Sequence, residues 1–96
     1  VLVDFYASWC TYCKQYDRLF KTDRFTPILE QYVLLKIDYD EDLDAVRKFG
    51  VKGVPTLLLL NSDGSENVDS RIIGWISPEE LYERLLKHVD RNHLSN

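Results

Sequence analysis

The hydrophobic pattern opens with an apolar run that gives way to a helical repeat. Residues 1–7 are rich in β-branched and aromatic side chains, which is typical of a strand covered on both faces. From Lys14 onward the apolar positions Tyr16, Leu19 and Phe20 recur at helical spacing. The pattern predicts a strand that leads directly into an amphipathic helix.

The middle of the chain predicts two more helices around a second strand. Thr22 or Asp23 is expected to cap a short helix that runs through residues 26–27 and has its apolar side at residues 28, 29 and 32. Residues 33–38 read as a strand. The next helix is expected to begin at one of the acidic residues that follow and to end at Gly50. The candidates for its first residue are Asp40 and Asp42.

The last part of the chain predicts a hairpin and a final helix. Residues 57–60 form a leucine run, and the turn signal at residues 61–64 indicates an antiparallel return around residues 71–73. Gly74 interrupts that strand as a bulge or a close backbone approach. Ser77 and Pro78 are a strong helix start. The residues that follow form an apolar stripe, made up of Leu81, Tyr82, Leu85 and Val89. Residues 91–96 are polar and are expected to fray.

The predicted order β-α-(α)-β-α-β-β-α indicates one α/β domain over residues 1–96 with a mixed sheet. A hydrophobic content of 45% suits a folded core. The net charge of −4 argues against a nucleic-acid partner, and the acidic run at residues 38–42 reads as a solvated loop and helix start.

No run approaches the ~20 apolar residues that span a bilayer, and no signal peptide is visible. The start without Met, inside a strand, suggests a domain taken from a longer protein.

The candidate chemistry lies at Cys10 and Cys13, the only two cysteines of the chain. A helix that begins near Cys10 would favour a thiolate there, and Cys13 would lie one turn further on. The leading interpretation is a reversible dithiol/disulfide pair. The alternatives are a structural disulfide, a chance spacing, or a metal site that would need ligands such as His88 and His93. We expect no metal.

Asp4 is the one charged residue of the first strand, six positions before Cys10. A carboxylate in an apolar strand is costly unless it is paired or protonated, and burial would raise its pKa. It either reaches solvent at the strand end or serves as a buried proton acceptor beneath Cys13. The neighbouring cysteines favour the second reading.

The sequence resembles the thioredoxin superfamily over nearly its whole length. The resemblance lies in Val-Asp-Phe-Tyr-Ala-Ser-Trp-Cys-x-x-Cys-Lys, in Gly-Val-x-Gly-Val-Pro-Thr before a leucine-rich strand, and in a glycine after the hairpin. It implies a thioredoxin fold with a four-stranded mixed sheet flanked by helices, lacking the first strand and helix of the superfamily. It also implies no cofactor beyond the cysteine pair.

The resemblance assigns roles to single residues. Cys10 would attack the partner, Cys13 would resolve the mixed disulfide, and Asp4 would be the buried acid. Pro55 would be a cis-proline whose loop helps to hold the partner's backbone. The implied contacts with the partner come from Trp9, Thr11, Tyr12, Val54 and Pro55.

Several positions depart from ordinary thioredoxin. Thr11 and Tyr12 replace Gly-Pro, Tyr6 stands where Trp is usual, and Leu34 occupies the place of a lysine that often accompanies the buried acid. These departures fit a subgroup better. The run Tyr-Ala-x-Trp-Cys-x-x-Cys-Lys, the Val-Leu-Leu strand and the acidic turn after that strand resemble the C-terminal domain of DsbD-type transmembrane thiol:disulfide reductases. In that family a second acid follows the cysteines, and Asp17 occupies the matching position, although an exposed helix acid is an equal alternative.

The DsbD-type resemblance also implies a setting for the chain. It would be a monomeric domain on the periplasmic side of a bacterial inner membrane, taking electrons from a membrane domain and passing them to a periplasmic acceptor domain. Two alternatives stay open. One is a stand-alone thioredoxin-like reductase, cytoplasmic or exported, and the other is a redox-inactive binding or chaperone-like module.

Overall fold

The computed structural model describes residues 1–89, so the predicted fraying of residues 91–96 and the position of His93 lie outside the described residues. The elements follow the predicted order. They are β1 (Leu2–Tyr6), α1 (Thr11–Phe20), α2 (Thr26–Leu29), β2 (Leu34–Asp38), α3 (Leu43–Phe49), β3 (Thr56–Leu60), β4 (Glu66–Ile73) and α4 (Pro78–Lys87). No helix within residues 1–89 is both long and apolar enough to cross a membrane.

The four strands form one mixed sheet in the order β2-β1-β3-β4. β1 runs parallel to β2 and antiparallel to β3, and β3 and β4 form the predicted hairpin. The central position of β1 explains its continuous apolar pattern, because both of its edges are paired and both of its faces are covered. The predicted four-stranded thioredoxin fold is confirmed.

β4 begins at Glu66, earlier than the strand predicted around residues 71–73. Its first half is polar and poor in strand-forming residues, so the hydrophobic pattern does not reveal it. The pairing with β3 shifts register between Leu57 and Leu59. At this irregularity the Ser70 hydroxyl accepts a hydrogen bond from the Leu59 amide at 3.0 Å and donates one to the Asn67 carbonyl at 2.6 Å. A side chain thus replaces a missing backbone partner.

The sheet separates two apolar clusters. One face packs against α1, α2 and α4, and the other packs against α3. Because side chains alternate along a strand, Leu2 and Asp4 of β1 face α1, while Val3 and Phe5 face α3. The face that buries Asp4 is therefore the one that α1 covers.

The ends of the longer helices follow the sequence signals. Asp42 caps α3 through the Ala45 amide at 3.1 Å, and Gly50 ends α3 in the left-handed conformation at φ 62°. Ser77 caps α4 through the Glu80 amide at 3.2 Å.

The predicted cap of α2 is wrong. Residue 25 occupies that position, with no side-chain hydrogen bond. The Thr22 hydroxyl instead donates to the Leu19 carbonyl of α1 at 2.7 Å, so it serves the end of the preceding helix.

Candidate active site

Cys10 and Cys13 are joined by a disulfide at the start of α1, with their Cα atoms 5.2 Å apart. Cys10 is the N-cap residue, and its Sγ accepts a hydrogen bond from the Cys13 amide at 3.1 Å. Both residues are buried, with exposed fractions of 5% and 3%. A backbone amide aimed at Cys10 Sγ would stabilise a thiolate at that atom after reduction. The helix start predicted at the cysteine pair is confirmed.

The residues around the disulfide are unequally exposed. Ala7 is buried with the two cysteines, and Val54 packs against them. Thr11 and Tyr12 lie exposed between the cysteines.

Trp9 is 64% exposed, and its indole N–H donates to the Asp40 carboxylate at 2.8 Å. Asp40 belongs to the acidic run that the sequence presents as a solvated loop. In the structure this carboxylate also orients an exposed aromatic ring next to Cys10.

Pro55 lies at the start of β3, and the Val54–Pro55 peptide bond is cis, as the resemblance predicts. The Pro55 carbonyl accepts a hydrogen bond from the Gly74 amide at 2.8 Å. The Thr56 hydroxyl donates to the Gly53 carbonyl at 2.8 Å. These bonds hold the Pro55 loop (residues 53–55) in place, with Val54 against the cysteines. Space is open where a Cβ of residue 74 would lie, so the prediction of a close backbone approach is wrong, and the left-handed backbone at φ 84° is what favours glycine there.

A third segment, the Gly74 loop (residues 74–76), completes the site. The Tyr16 hydroxyl of α1 donates to the Gly74 carbonyl at 2.8 Å and accepts from the Ile76 amide at 3.0 Å. The Trp75 ring lies 4.6 Å from the Tyr16 ring and 6.1 Å from the Tyr12 ring, measured between centroids. Sequence reasoning missed Trp75, because it lies in a connection with no hydrophobic period. Its one signal was the glycine before it.

Asp4 is buried on the face that α1 covers, with 1% of its surface exposed. Its Oδ1 atom has no hydrogen-bond partner among the described residues. The pKa of Asp4 is raised to about 6, chiefly by burial. The positive charge of Lys36 lowers this pKa, and the negative charge of Asp17 raises it, within that net value. Cys13 and Tyr16 are on the buried side of the same helix. The prediction that Asp4 is buried rather than solvated at the strand end is confirmed, whereas its role as proton acceptor stays a prediction.

The structure places a lysine near Asp4 that the sequence pattern does not reveal. Leu34 stands in the usual lysine position, but Lys36 lies two residues further along β2, and side chains two apart share a face of a strand. The Lys36 ammonium binds the Asp17 carboxylate at 2.8 Å and lies 4.6 Å above the Tyr6 ring. Lys36 was therefore missed, because its pairing depends on strand register rather than on aligned position.

The negative charge of Asp17 raises the pKa of Asp4, and the Asp17 side chain is partly exposed in its ion pair with Lys36. A role of Asp17 in the reaction stays a prediction. Within residues 1–89 there is no group of three or more His, Cys, Asp or Glu side chains that could hold a metal ion. The redox couple of the thioredoxin fold is the cysteine pair itself.

Known proteins with similar sequences and folds identify the family of this chain. The Thioredoxin family model matches residues 1–87. The thiol:disulfide interchange protein DsbD of Yersinia pestis is 31% identical over 90 residues, which cover 88% of this chain and 15% of that protein. The chain thus spans a small part of the length of the curated relatives it matches. The resemblance to DsbD is confirmed.

Two solved structures show the fold. The thioredoxin NaTrxh of Nicotiana alata superposes with a TM-score of 0.71 at 35% identity and covers 93% of this chain and 72% of its own. The reduced C-terminal domain of DsbD from Neisseria meningitidis gives a TM-score of 0.75 at 23% identity, covering 91% and 78% respectively. At that identity the second match shows the fold alone. By its sequence, its fold and its cysteine pair, the chain belongs to the thioredoxin family.

Proposed function

We propose that this chain is a protein-disulfide reductase that donates electrons through Cys10 and Cys13. The observation that carries the proposal is the placement of the disulfide at the start of α1, beside the Pro55 loop. Asp4 is buried on the sheet face beneath that helix. A structural role is a weaker explanation, since so short a loop removes little entropy from the unfolded chain.

The first step forms a mixed disulfide. The Cys10 thiolate attacks one sulfur of the partner's disulfide, a Cys10–partner S–S bond forms, and the partner's other sulfur leaves as a thiolate that takes up a proton. The amide of Cys13 that hydrogen-bonds Cys10 Sγ favours the thiolate needed for this attack. The Pro55 loop and Trp9 would hold the partner's chain near the reacting sulfurs.

The second step releases the partner. Asp4 accepts the proton of the Cys13 thiol, the Cys13 thiolate attacks Cys10 Sγ, and the Cys10–Cys13 bond forms as the partner leaves with its second thiolate. The partner gains two electrons and two protons, and this chain ends as the disulfide. Since the pKa of Asp4 is raised to about 6, the carboxylate is ionised at neutral pH and can accept a proton. A donor dithiol then returns the chain to the reduced state.

The similarity to DsbD supports a setting for the reaction. As a monomeric domain on the periplasmic side of an inner membrane, the chain would receive electrons from a membrane domain and pass them to a periplasmic acceptor domain. A stand-alone thioredoxin-like reductase uses the same chemistry in another setting. A binding module on this fold would retain the Trp9 and Pro55 surface but would not turn over.

Insulin reduction with dithiothreitol as the electron source tests the activity. We expect catalytic turnover that is lost in Cys10→Ser. An inert disulfide without turnover would favour the binding module. The direction is tested by equilibrating the oxidised chain with reduced glutathione. A reductase disulfide should persist in glutathione and yield to dithiothreitol, whereas a disulfide that glutathione reduces readily would identify an oxidant.

A further inference from the structure

The exposed surface beside the disulfide has an aromatic component that the reaction itself does not require. Tyr12, between the two cysteines, is 53% exposed. Its ring stacks on Trp75 with an interplanar angle of 22°. We call these two rings the aromatic wall. Trp75 is only partly buried, so the wall presents apolar surface next to the reacting sulfurs.

The aromatic wall is built on rigid supports. Trp75 packs on the buried Tyr16 ring, whose hydroxyl bonds the residues on either side of Trp75, at Gly74 and Ile76. The Gly74 amide also binds the Pro55 carbonyl. The wall is therefore held to α1 and to the Pro55 loop before any partner arrives. Binding to a preorganised surface costs less conformational entropy than binding to a mobile one.

The exposed aromatic groups near the disulfide differ in charge. The Trp9 ring carries the Asp40 carboxylate on its indole nitrogen. The aromatic wall consists of two uncharged rings. A charged partner residue would lose hydration against the wall without gaining an ion pair there, whereas an apolar one would bury surface.

From this arrangement we infer that the aromatic wall binds an aromatic or large aliphatic side chain next to the reactive cysteine of the partner. The inference rests on the proposed function, because the partner's disulfide must reach Cys10 Sγ and its flanking residues must then lie over this surface. Tyr12 and Trp75 are thus specificity-determining residues. They select protein disulfides with an apolar neighbour.

Synthetic peptide disulfides test the inference. Two peptides that differ only in the residue beside cysteine, Phe in one and Ser in the other, are reduced by the full chain with dithiothreitol as donor. We expect kcat/KM to be about tenfold higher for the Phe peptide, since a partly buried aromatic ring accounts for a factor of that size. Trp75→Ala and Tyr12→Ala should each bring this ratio close to one, and Trp75→Phe should retain most of it.

The ratio separates recognition from folding. Any loss of folded protein lowers both rates equally, and the exposed Tyr12 offers a second variant should Trp75→Ala not fold. Leu86→Ala removes an exposed apolar side chain of α4 and should leave the ratio unchanged. Equal rates for the two peptides with the natural chain, or an unchanged ratio in both alanine variants, would overturn the inference. Failure to reduce either peptide or glutathione disulfide would instead overturn the proposed function.

Discussion

Asp4 on β1 lies directly opposite Lys36 on β2 in the parallel register of the sheet. The Lys36 ammonium binds Asp17 of α1 at 2.8 Å, and its charge also lowers the pKa of Asp4. One exposed cation thus acts on both acids of the site. The buried acid and its charged neighbours form a linked unit, which leads to predictions for stability and for pH dependence.

Replacing Asp4 by Asn should stabilise the oxidised chain at neutral pH. The folded-state pKa of Asp4 is raised from 3.8 to about 6, so the folded protein loses stability as the pH rises from 4 to 6 and then stays at the lower level. The full cost is about 3 kcal/mol, at 1.36 kcal/mol for each pH unit. Asn cannot ionise, so the gain should be present at pH 7.5 and absent at pH 4. Urea unfolding at both pH values measures it.

The same variant should react more slowly. Without the Asp4 carboxylate the Cys13 thiol loses its proton acceptor, so the resolving step should slow by about a hundredfold, within the usual range for a general base. Stopped-flow decay of a preformed mixed disulfide at Cys10 reports this step directly. An unchanged decay rate would exclude Asp4 from proton transfer.

Removing the Lys36 charge should move the pH profile of the resolving step upward. In Lys36→Gln the positive charge that favours the Asp4 carboxylate is lost, so the pKa of Asp4 rises and ionisation requires a higher pH. The exposed ion pair with Asp17 contributes less than about 1 kcal/mol, so the fold should persist. Rates of the mixed-disulfide decay between pH 5 and 9 measure the profile.

Two controls sharpen the Lys36 experiment. Lys36→Arg keeps the charge and should keep the natural profile. Lys87→Gln removes an exposed lysine of α4 and should do the same. A Lys36→Gln profile that overlays the natural one would show that Lys36 does not act on the reacting acid.

The two cysteines should differ in their ability to trap a partner. Cys13→Ser should accumulate a mixed disulfide through Cys10, because the attacking thiol remains and the resolving thiol is gone. Cys10→Ser should not. Non-reducing electrophoresis after reaction with a disulfide-bonded protein compares them. Equal trapping by both variants would mean that the assigned roles are wrong.

Tyr16→Phe should weaken the attachment of the Gly74 loop to α1 without leaving a cavity in the core. The change removes two hydrogen bonds of a buried hydroxyl and keeps the ring that stacks on Trp75. A loss of about 1–2 kcal/mol in the free energy of unfolding is expected. Urea unfolding measures the loss. Tyr82→Phe is the matched control, because the Tyr82 ring packs on Phe25 and its hydroxyl has no hydrogen bond within residues 1–89. Equal losses of unfolding free energy in both variants would contradict a stabilising role of the Tyr16 hydroxyl in the Gly74 loop.

The sequence predicts most of the elements here, because they depend on local periodicity and capping. The apolar run of β1, the Asp42 and Ser77 caps and the turn after β3 are all visible as patterns. The cis bond before Pro55 came from the resemblance and not from the residues themselves. Local chemistry alone gives no reason to expect it.

The features that the sequence did not reveal depend on distant pairing. Lys36 lies opposite Asp4 because of the strand register. The Trp75 ring stacks on Tyr12 because the Tyr16 hydroxyl holds the Gly74 loop. The Asp40 contact with Trp9 likewise joins two loops. None of these has a periodic signal, since the partners lie far apart along the chain.

The central place of β1 has a consequence for biosynthesis. β1 is made before both of its neighbours, β2 and β3, which follow later along the chain. Pairing of this kind must close long loops and is slow compared with local contacts. A growing chain therefore exposes Cys10 and Cys13 before the sheet that shelters them can assemble. The cysteines that carry the redox chemistry of the folded protein are open to misdirected oxidation during its synthesis.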